Sequence, residues 1–383
     1  MTRFFTSTLI AAALPLIAQA QAQAQGPAPV AGDAGWRECA ALADGQARLV
    51  CFDQWAGRQA WAAPAASASA QPVDAVAPTP TTPLAGLKPA NATDDSPGDG
   101  CRSTAYTTLS RFWELEAGTD CGALRFRGYR PLSVSIVGSD SVNQQPQSPS
   151  ADHSASKAVD YRNTEMRLQL SVRTKLAKGL LTSGDSQRRD SLWFGYSQQS
   201  YWQLFSPGIS RPFRNTDHEP DVIYVYPTDA RLPWGWRWRY SGVGLVHQSN
   251  GQSLPLSRSW NRVYLMAAFE KDDRWQLQAR VWQRVTEKSS QDDNPDISSR
   301  VGRAELSASW ALNKTHTLGM TLRHPMSTGG GGSVRLDWMR ALGNNPTGGL
   351  RLHASLFSGY GDSLIDYNFR RTVFSLGLSL VEF

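Results

Sequence analysis

The sequence predicts an all-β protein, a twelve-stranded antiparallel transmembrane β-barrel. Residues 130–383 contain about twelve segments of alternating apolar and polar side chains, a pattern typical of strands. Turn-forming residues separate these segments, which favours antiparallel pairing. The chain also begins with an apparent export signal, and no later run reaches the ~18–20 apolar residues that a membrane-spanning helix needs. An exported chain of long alternating strands is best explained by a barrel that is apolar outside and polar within.

The first 24 residues have the features of a secretory signal peptide. Arg3 supplies the positive charge, and residues 9–17 form the short apolar segment. The small-residue pattern after this segment is equally compatible with cleavage after Ala20, Ala22 or Ala24.

Three further segments are expected between the signal and the barrel. Residues 25–61 predict a small disulfide-stapled helical segment, and residues 62–100, rich in Pro, Ala, Ser and Thr, predict a flexible periplasmic linker. Residues 101–128 form a lead-in that contains the last two of four cysteines. Cysteines of exported proteins are usually paired, and of three possible connectivities the nearest-neighbour one, Cys39–Cys51 with Cys101–Cys121, is predicted.

The barrel domain is assigned to residues 129–383. Alternation is clear in residues 164–176, 275–281 and 302–310. A soluble β-sandwich shares this alternation, but its strands are usually shorter. The chain also has 14 Trp. These residues fit either a large soluble core or an aromatic girdle at a membrane interface, and a barrel favours the girdle.

One segment conflicts with simple alternation. Trp234, Trp236 and Trp238 lie in the opposite phase to Val243 and Leu245. Either this strand contains a bulge, or these rings point into the barrel.

The charge pattern argues against nucleic acid as a partner. The formal net charge is +6, but the basic residues are scattered along the chain and not grouped in blocks. Nor does the sequence contain the C-x-x-C or His-rich spacing typical of zinc sites.

A histidine and a serine stand two residues apart in residues 247–251 (HQSNG). Successive side chains of a strand alternate faces, so His247 and Ser249 point the same way, as a base and a serine nucleophile require. The chain turns near Pro255, and facing residues have numbers that sum to about 508–510. Asn261 then lies opposite His247, where it can orient the imidazole. The hairpin therefore predicts a Ser249/His247/Asn261 catalytic triad.

The same alternation predicts which side of the barrel carries the triad. His247 and Ser249 continue the apolar face of Val243 and Leu245. We therefore expect the site on the lipid-facing surface near a strand end, where a lipid ester can reach it from the bilayer.

Six blocks of the barrel region carry distinctive residue combinations. They are residues 196–203 (YSQQSYWQ), 210–214 (SRPFR) with 219–220 (EP), 247–251 (HQSNG), 257–262 (SRSWNR), 292–297 (DDNPDI) and 358–369 (SGYGDSLIDYNF). Together and in this order, they resemble the outer-membrane phospholipase A family of Gram-negative bacteria. The N-terminal segments lie outside the resemblance.

The resemblance implies a carboxylic ester hydrolase, a phospholipase A with a serine nucleophile. Its substrates would be phospholipids and lysophospholipids at the surface of the outer membrane, and it would be active as a calcium-dependent homodimer. Ser249 would be the nucleophile, His247 the general base and Asn261 the residue that orients His247.

The resemblance also implies roles around the triad. The hydroxyl of Ser257 and the backbone carbonyl of Gln252 would bind calcium together with Ser210 of the partner subunit. The amide of Gly251 would contribute to the oxyanion hole, and Gln198 would be a polar contact between subunits.

Three positions around the predicted calcium site depart from the family pattern in residue type or in spacing. Asp293 matches an acidic position suggested for calcium in the monomer, although its spacing from Trp275 differs from the family pattern. Gln248 and Leu254 stand where acidic residues are common in the family. We therefore expect less negative charge around the bound ion, which affects affinity more than the identity of the metal.

Two other classes were weighed. A non-catalytic outer-membrane channel or structural barrel would share the strands but would not need the complete His/Ser/Asn set. A soluble secreted serine hydrolase would be expected to carry a G-x-S-x-G nucleophile elbow, which the sequence lacks.

Overall fold

The structure, a computed structural model of the 383-residue chain, describes residues 35–58, 103–185, 187–343 and 349–380. The chain divides into two units, Met1–Pro89 and Ala90–Phe383. The predicted signal (1–24) and linker (62–100) lie outside the described residues. No helix in the described ranges has the length and apolar character needed to cross a membrane.

The first unit contains a pair of helices, α1 (Gly35–Ala40) and α2 (Gly45–Arg58). Asp44 caps α2, because its Oδ1 accepts hydrogen bonds from the amides of Gln46 (3.0 Å) and Ala47 (2.7 Å). The Cys39–Cys51 disulfide joins the two helices. This confirms the predicted helical hairpin and its disulfide.

The second unit is almost entirely β-structure. Its described residues contain the helices α3 (Thr108–Trp113) and α4 (Ile297–Arg300) and the strands β1 (Phe126–Gly128), β2 (Leu132–Ser139), β3 (Thr164–Lys178), β4 (Ser191–Trp202), β5 (Phe213–Arg231), β6 (Arg237–Ser249), β7 (Ser259–Lys271), β8 (Trp275–Arg284), β9 (Ala304–Ala311), β10 (His316–His324), β11 (Ser333–Ala341), β12 (Leu350–Gly359) and β13 (Arg371–Leu380). In the lead-in, Cys121 is disulfide-bonded, whereas Cys101 lies outside the described residues.

The strands close into a twelve-stranded antiparallel barrel. Each strand from β4 to β13 pairs with its neighbour in sequence, β13 then pairs with β2, and β2 pairs with β3. The pairing of β3 with β4 closes the ring. The three-residue β1 pairs with β3 beyond the end of β2 and adds no position to the ring. The predicted fold class is therefore confirmed.

Burial along the strands follows the alternation of the sequence. On β2, Val134 and Ile136 are half exposed, whereas Ser135 and Val137 are buried. On β13 the side chains of Phe374, Leu376, Leu378 and Leu380 are likewise exposed, and serines lie inside. An exposed apolar outer face with a polar interior is the arrangement that hydrocarbon requires.

Aromatic pairs lie at the strand ends. Trp275 at the start of β8 stacks on Trp310 of β9, with 4.6 Å between ring centroids. At the opposite rim, Trp202 at the end of β4 stacks on Phe213 at the start of β5 (5.4 Å). Their positions agree with the predicted girdle of rings at the two membrane interfaces.

A bulge resolves the phase conflict in β6. Trp238 pairs with Phe269, but Tyr240 pairs with the adjacent Ala268, so Arg239 is an extra residue in this strand. The ring of Trp238 consequently lies beside Phe269, with centroids 5.9 Å apart. Of the two explanations offered by the sequence, the bulge is correct.

The interior at the rim that carries the short turns is filled by α3. Trp113 is buried and packs edge-on against Trp193 (5.7 Å) and Tyr240 (5.8 Å). The guanidinium of Arg173 lies 3.5 Å from the ring centroid of Phe112. This aromatic core occupies the end of the barrel opposite to the hairpin turn that follows Ser249.

Candidate active site

The candidate site is built on the β6–β7 hairpin. His247 pairs with Asn261, and Ser249 pairs with Ser259, as the sequence arithmetic required. Nδ1 of His247 lies 2.8 Å from Oδ1 of Asn261, which is a normal hydrogen bond. The hairpin register therefore brings the predicted base and its orienting residue into direct contact.

This pair lies on the outer face of the barrel. His247 is exposed and shares a face with Leu245, and Val263 of β7 shares the face of Asn261. The opposite face of the hairpin is closely packed, because Tyr264 fills the space where a side chain at Gly244 would be. The imidazole is accessible from the side that faces lipid.

Ser249 ends β6 on the same face as His247. On its other side it pairs with His218 of β5. Ser249 Oγ makes no hydrogen bond with His247 or with any other residue in the described ranges. Catalytic hydrogen bonds often form only when substrate is bound, so this geometry keeps Ser249 as a candidate nucleophile.

Asn250 fixes the loop between the two strands, a role that sequence reasoning missed. This buried side chain accepts from the Arg258 amide (2.9 Å) and donates to the Leu256 carbonyl (2.8 Å). Its own amide donates to the Arg258 carbonyl (3.0 Å). Asn followed by Gly is a common turn signal, but it does not indicate which backbone groups of the loop the Asn250 side chain satisfies.

Gly251 follows with a φ of 62°, in the left-handed region. Glycine adopts this conformation without strain, whereas residues with a Cβ rarely adopt it. This left-handed residue turns the backbone two positions after Ser249, so the Gly251 amide is close in sequence to the candidate nucleophile.

Asp293 reaches the same loop from the segment between β8 and β9. Its Oδ2 accepts from the hydroxyls of Ser257 (2.8 Å) and Ser259 (3.0 Å). Its Oδ1 lies 3.0 Å from Nε2 of His153. The structure thus brings Asp293 together with Ser257 despite the altered spacing in the sequence.

The oxygen atoms here fit a calcium ion. The side-chain Nε2 of Gln252 donates a hydrogen bond to the backbone carbonyl of Arg214 (3.2 Å). The backbone carbonyl oxygen of Gln252 accepts no hydrogen bond from any donor in the described ranges. Carboxylate, hydroxyl and backbone carbonyl oxygens are the hard ligands that calcium prefers. Within the described residues no three or more His, Cys, Asp and Glu side chains are arranged so that they could hold a metal ion by themselves.

The two residues predicted to face a partner lie elsewhere on the surface. Ser210 is exposed in the loop between β4 and β5, after the short turn Pro207–Ile209. Gln198 lies on β4, where its Oε1 accepts from Tyr196 Oη (3.1 Å) and its Nε2 donates to Ser200 Oγ (3.2 Å). No hydrogen bond within the described ranges joins either residue to His247, Ser249 or Asn261.

The loops behind the site pack into a rigid support. The hydroxyl of Tyr367 donates to Asp296 Oδ1 (2.7 Å), and Arg258 donates to the His153 carbonyl (2.8 Å). Burial raises the pKa of Tyr367 well above its ordinary value, so this phenol stays protonated as a donor. Three loops consequently hold the hairpin turn in place.

The chain was compared with known proteins. The family model described as phospholipase A1 matches residues 109–380. A putative phospholipase A1 of Neisseria meningitidis serogroup B is 35% identical over 354 residues, which cover 89% of each chain.

Solved structures agree with this match. The outer membrane phospholipase A from Escherichia coli superposes with a TM-score of 0.59 at 30% identity, covering 68% of this chain and 93% of that one. The Salmonella typhi outer membrane phospholipase, solved as a dimer with bound calcium, gives a TM-score of 0.58 at 29% identity with the same coverage.

Proposed function

Because the chain belongs to the phospholipase A1 family, we propose that it hydrolyses acyl esters of phospholipids and lysophospholipids through Ser249, His247 and Asn261. The protein is a phospholipase of the Gram-negative outer membrane. The observation that carries the proposed triad is the 2.8 Å contact between His247 Nδ1 and Asn261 Oδ1 beside Ser249.

The triad chemistry follows from these positions. His247 Nε2 takes the proton of Ser249 Oγ as that oxygen attacks the acyl carbonyl. The imidazolium then returns the proton to the leaving alcohol oxygen, which releases a lysophospholipid and leaves an acyl-serine. Water deprotonated by His247 hydrolyses this ester and regenerates the enzyme. Asn261 holds the ring in one orientation, although a neutral amide stabilises the imidazolium less than an aspartate would.

We propose that the Gly251 amide forms part of the oxyanion hole, where one donor contributes roughly 3–4 kcal/mol. Ser257, the Gln252 carbonyl and Asp293 would hold a calcium ion, completed by Ser210 of the partner subunit. Bound calcium would supply positive charge beside the developing oxyanion. The Salmonella typhi relative was solved as a dimer with bound calcium, which supports a calcium ion and a dimer here.

The first test is fatty-acid release from mixed phospholipid micelles by refolded protein, with calcium or with a chelator. We expect release only with calcium. Ser257→Ala and Asp293→Ala should raise the half-saturating calcium concentration about tenfold or more, because each removes an oxygen ligand. Ser253→Ala, an exposed position in the same loop, is the matched control. Release that is indifferent to the chelator would refute the calcium site and retain the triad.

The second test concerns the role of Ser210 in the dimer. At limiting calcium, Ser210→Ala protein should have little activity alone, because it lacks one calcium ligand, and Ser249→Ala protein should have none. Equal mixing should restore about one quarter of wild-type activity, since half of the dimers are mixed and each has one complete site. Reconstitution is measured after both proteins unfold and refold together. A mixture as inactive as its components would show that Ser210 does not complete the site of a partner.

The non-catalytic barrel is not supported, because family membership makes the chain a phospholipase and α3 fills one end of the interior. The soluble secreted hydrolase is wrong, because the chain forms an outer-membrane barrel.

A further inference from the structure

The side-chain amide of Asn261 is held from both sides. Its Oδ1 lies 2.8 Å from His247 Nδ1, and its Nδ2 donates to Glu287 Oε1 at 3.0 Å. Glu287 lies three residues after the end of β8, in the loop that leads to β9. Nothing in the residue pattern of the hairpin indicates the contact between Asn261 and Glu287, because Glu287 lies in a loop outside the hairpin.

The hydrogen bond to Glu287 determines which atom of the Asn261 amide faces His247. An ionised carboxylate only accepts hydrogen bonds, so the NH₂ group of Asn261 must face Glu287. The amide oxygen then faces His247, and Nδ1 of that ring must carry the hydrogen that it donates. Nε2 of the neutral imidazole is left with a free lone pair, which is the form that accepts a proton from Ser249.

Glu287 is itself firmly held. Arg284 Nη2 lies 3.1 Å from Glu287 Oε2, and the Glu287 side chain is 17% exposed. The Val285 amide donates to the backbone carbonyl of Asn261 at 2.8 Å, which anchors the start of the loop on the triad strand. Arg284 also contacts Asp292, so the loop is held at its start and again further along. A carboxylate fixed in this way can restrain a partner.

We propose that Glu287 is a positioning residue that acts on His247 through Asn261, making a linear Ser249–His247–Asn261–Glu287 arrangement. The proposal rests on the proposed triad. The carboxylate prevents the Asn261 amide from flipping, and its negative charge polarises that amide towards His247. Through Asn261, the carboxylate thereby supplies part of the negative charge that stabilises the imidazolium and that a neutral asparagine lacks.

The test measures kcat and KM separately for each variant in detergent-refolded protein. Glu287→Ala should lower kcat about tenfold with KM nearly unchanged, because substrate binding is not affected. Glu287→Gln should lose less, since its amide oxygen still accepts from Asn261. Lys288→Ala is the matched control, because Lys288 is the next residue of the same loop and its side chain is exposed. We expect its kcat to stay within about twofold of wild type.

A double-mutant cycle separates positioning from general loop stability. In an Asn261→Ala background, Glu287→Ala should cause no further loss of kcat, because the residue through which it acts is gone. An equal loss in both backgrounds, or wild-type kcat in Glu287→Ala, would overturn the proposal while the triad stands. Wild-type kcat in Asn261→Ala itself would overturn the triad and this inference together.

Discussion

Replacing Ser249 by alanine is expected to lower phospholipid hydrolysis by about 10⁴-fold or more while the barrel remains folded. The substitution removes the only atom of the proposed triad that bonds to the acyl carbon. The hydroxyl makes no hydrogen bond to other residues in the described ranges, so its loss leaves the hairpin contacts intact. Fatty-acid release from mixed micelles with calcium measures the effect.

Ser241→Ala is the matched control for this substitution. Ser241 lies on the same strand as Ser249, well away from the hairpin turn. We expect turnover within about twofold of wild type for this surface change. Circular dichroism and resistance to detergent denaturation verify that both variants form the barrel. Substantial turnover in folded Ser249→Ala protein would remove Ser249 from the mechanism.

The second large effect is expected in the buried charge cluster at the rim that carries the β6–β7 hairpin turn. Arg371 is fully buried, with Nη2 2.8 Å from Asp362 Oδ2 and 3.3 Å from Glu165 Oε1. Burial alone would raise the pKa of Asp362, but the guanidinium groups of Arg371 and Arg167 hold that pKa well below its ordinary value. Asp362 therefore depends on these cations to remain charged in the interior.

Arg371→Met should destabilise the barrel by about 3–5 kcal/mol, because it leaves buried carboxylates without one of their partners. Arg237→Met is the control: its pair with Asp229 is exposed, with side chains 43% and 49% accessible, and should contribute less than about 1 kcal/mol. Urea unfolding in detergent, followed by tryptophan fluorescence, measures both. Equal stability of the two variants would refute the role assigned to Arg371.

The alternation of apolar and polar residues was sufficient to predict the barrel and the outward orientation of His247. The two-residue period ties each side chain to a face, and the tight hairpin ties Asn261 to His247. The same argument required an explanation for the phase of Trp238. It did not decide between a bulge in the strand and rings that point into the barrel. Only the pairings on either side of Arg239 identify the bulge.

The contacts that the sequence did not reveal come from loops. Asp293 and Glu287 belong to the irregular segment between β8 and β9, where no periodicity fixes direction or distance. Their positions depend on the clamp by Arg284 and on the hydroxyls of Ser257 and Ser259. Asn250 was missed for a related reason, since its role is to satisfy backbone groups of a loop whose shape alternation does not define.

In the proposed mechanism, the outward position of His247 determines how the enzyme encounters its substrate. A lipid that diffuses sideways within its leaflet can approach the imidazole without leaving the hydrocarbon environment of its chains. Encounter then takes place in two dimensions, and its frequency depends on the mole fraction of ester lipid around the barrel and hardly at all on the bulk amount. Diluting that lipid with inert detergent at constant total concentration therefore slows the enzyme, as does any membrane that keeps phospholipid out of the leaflet at this rim.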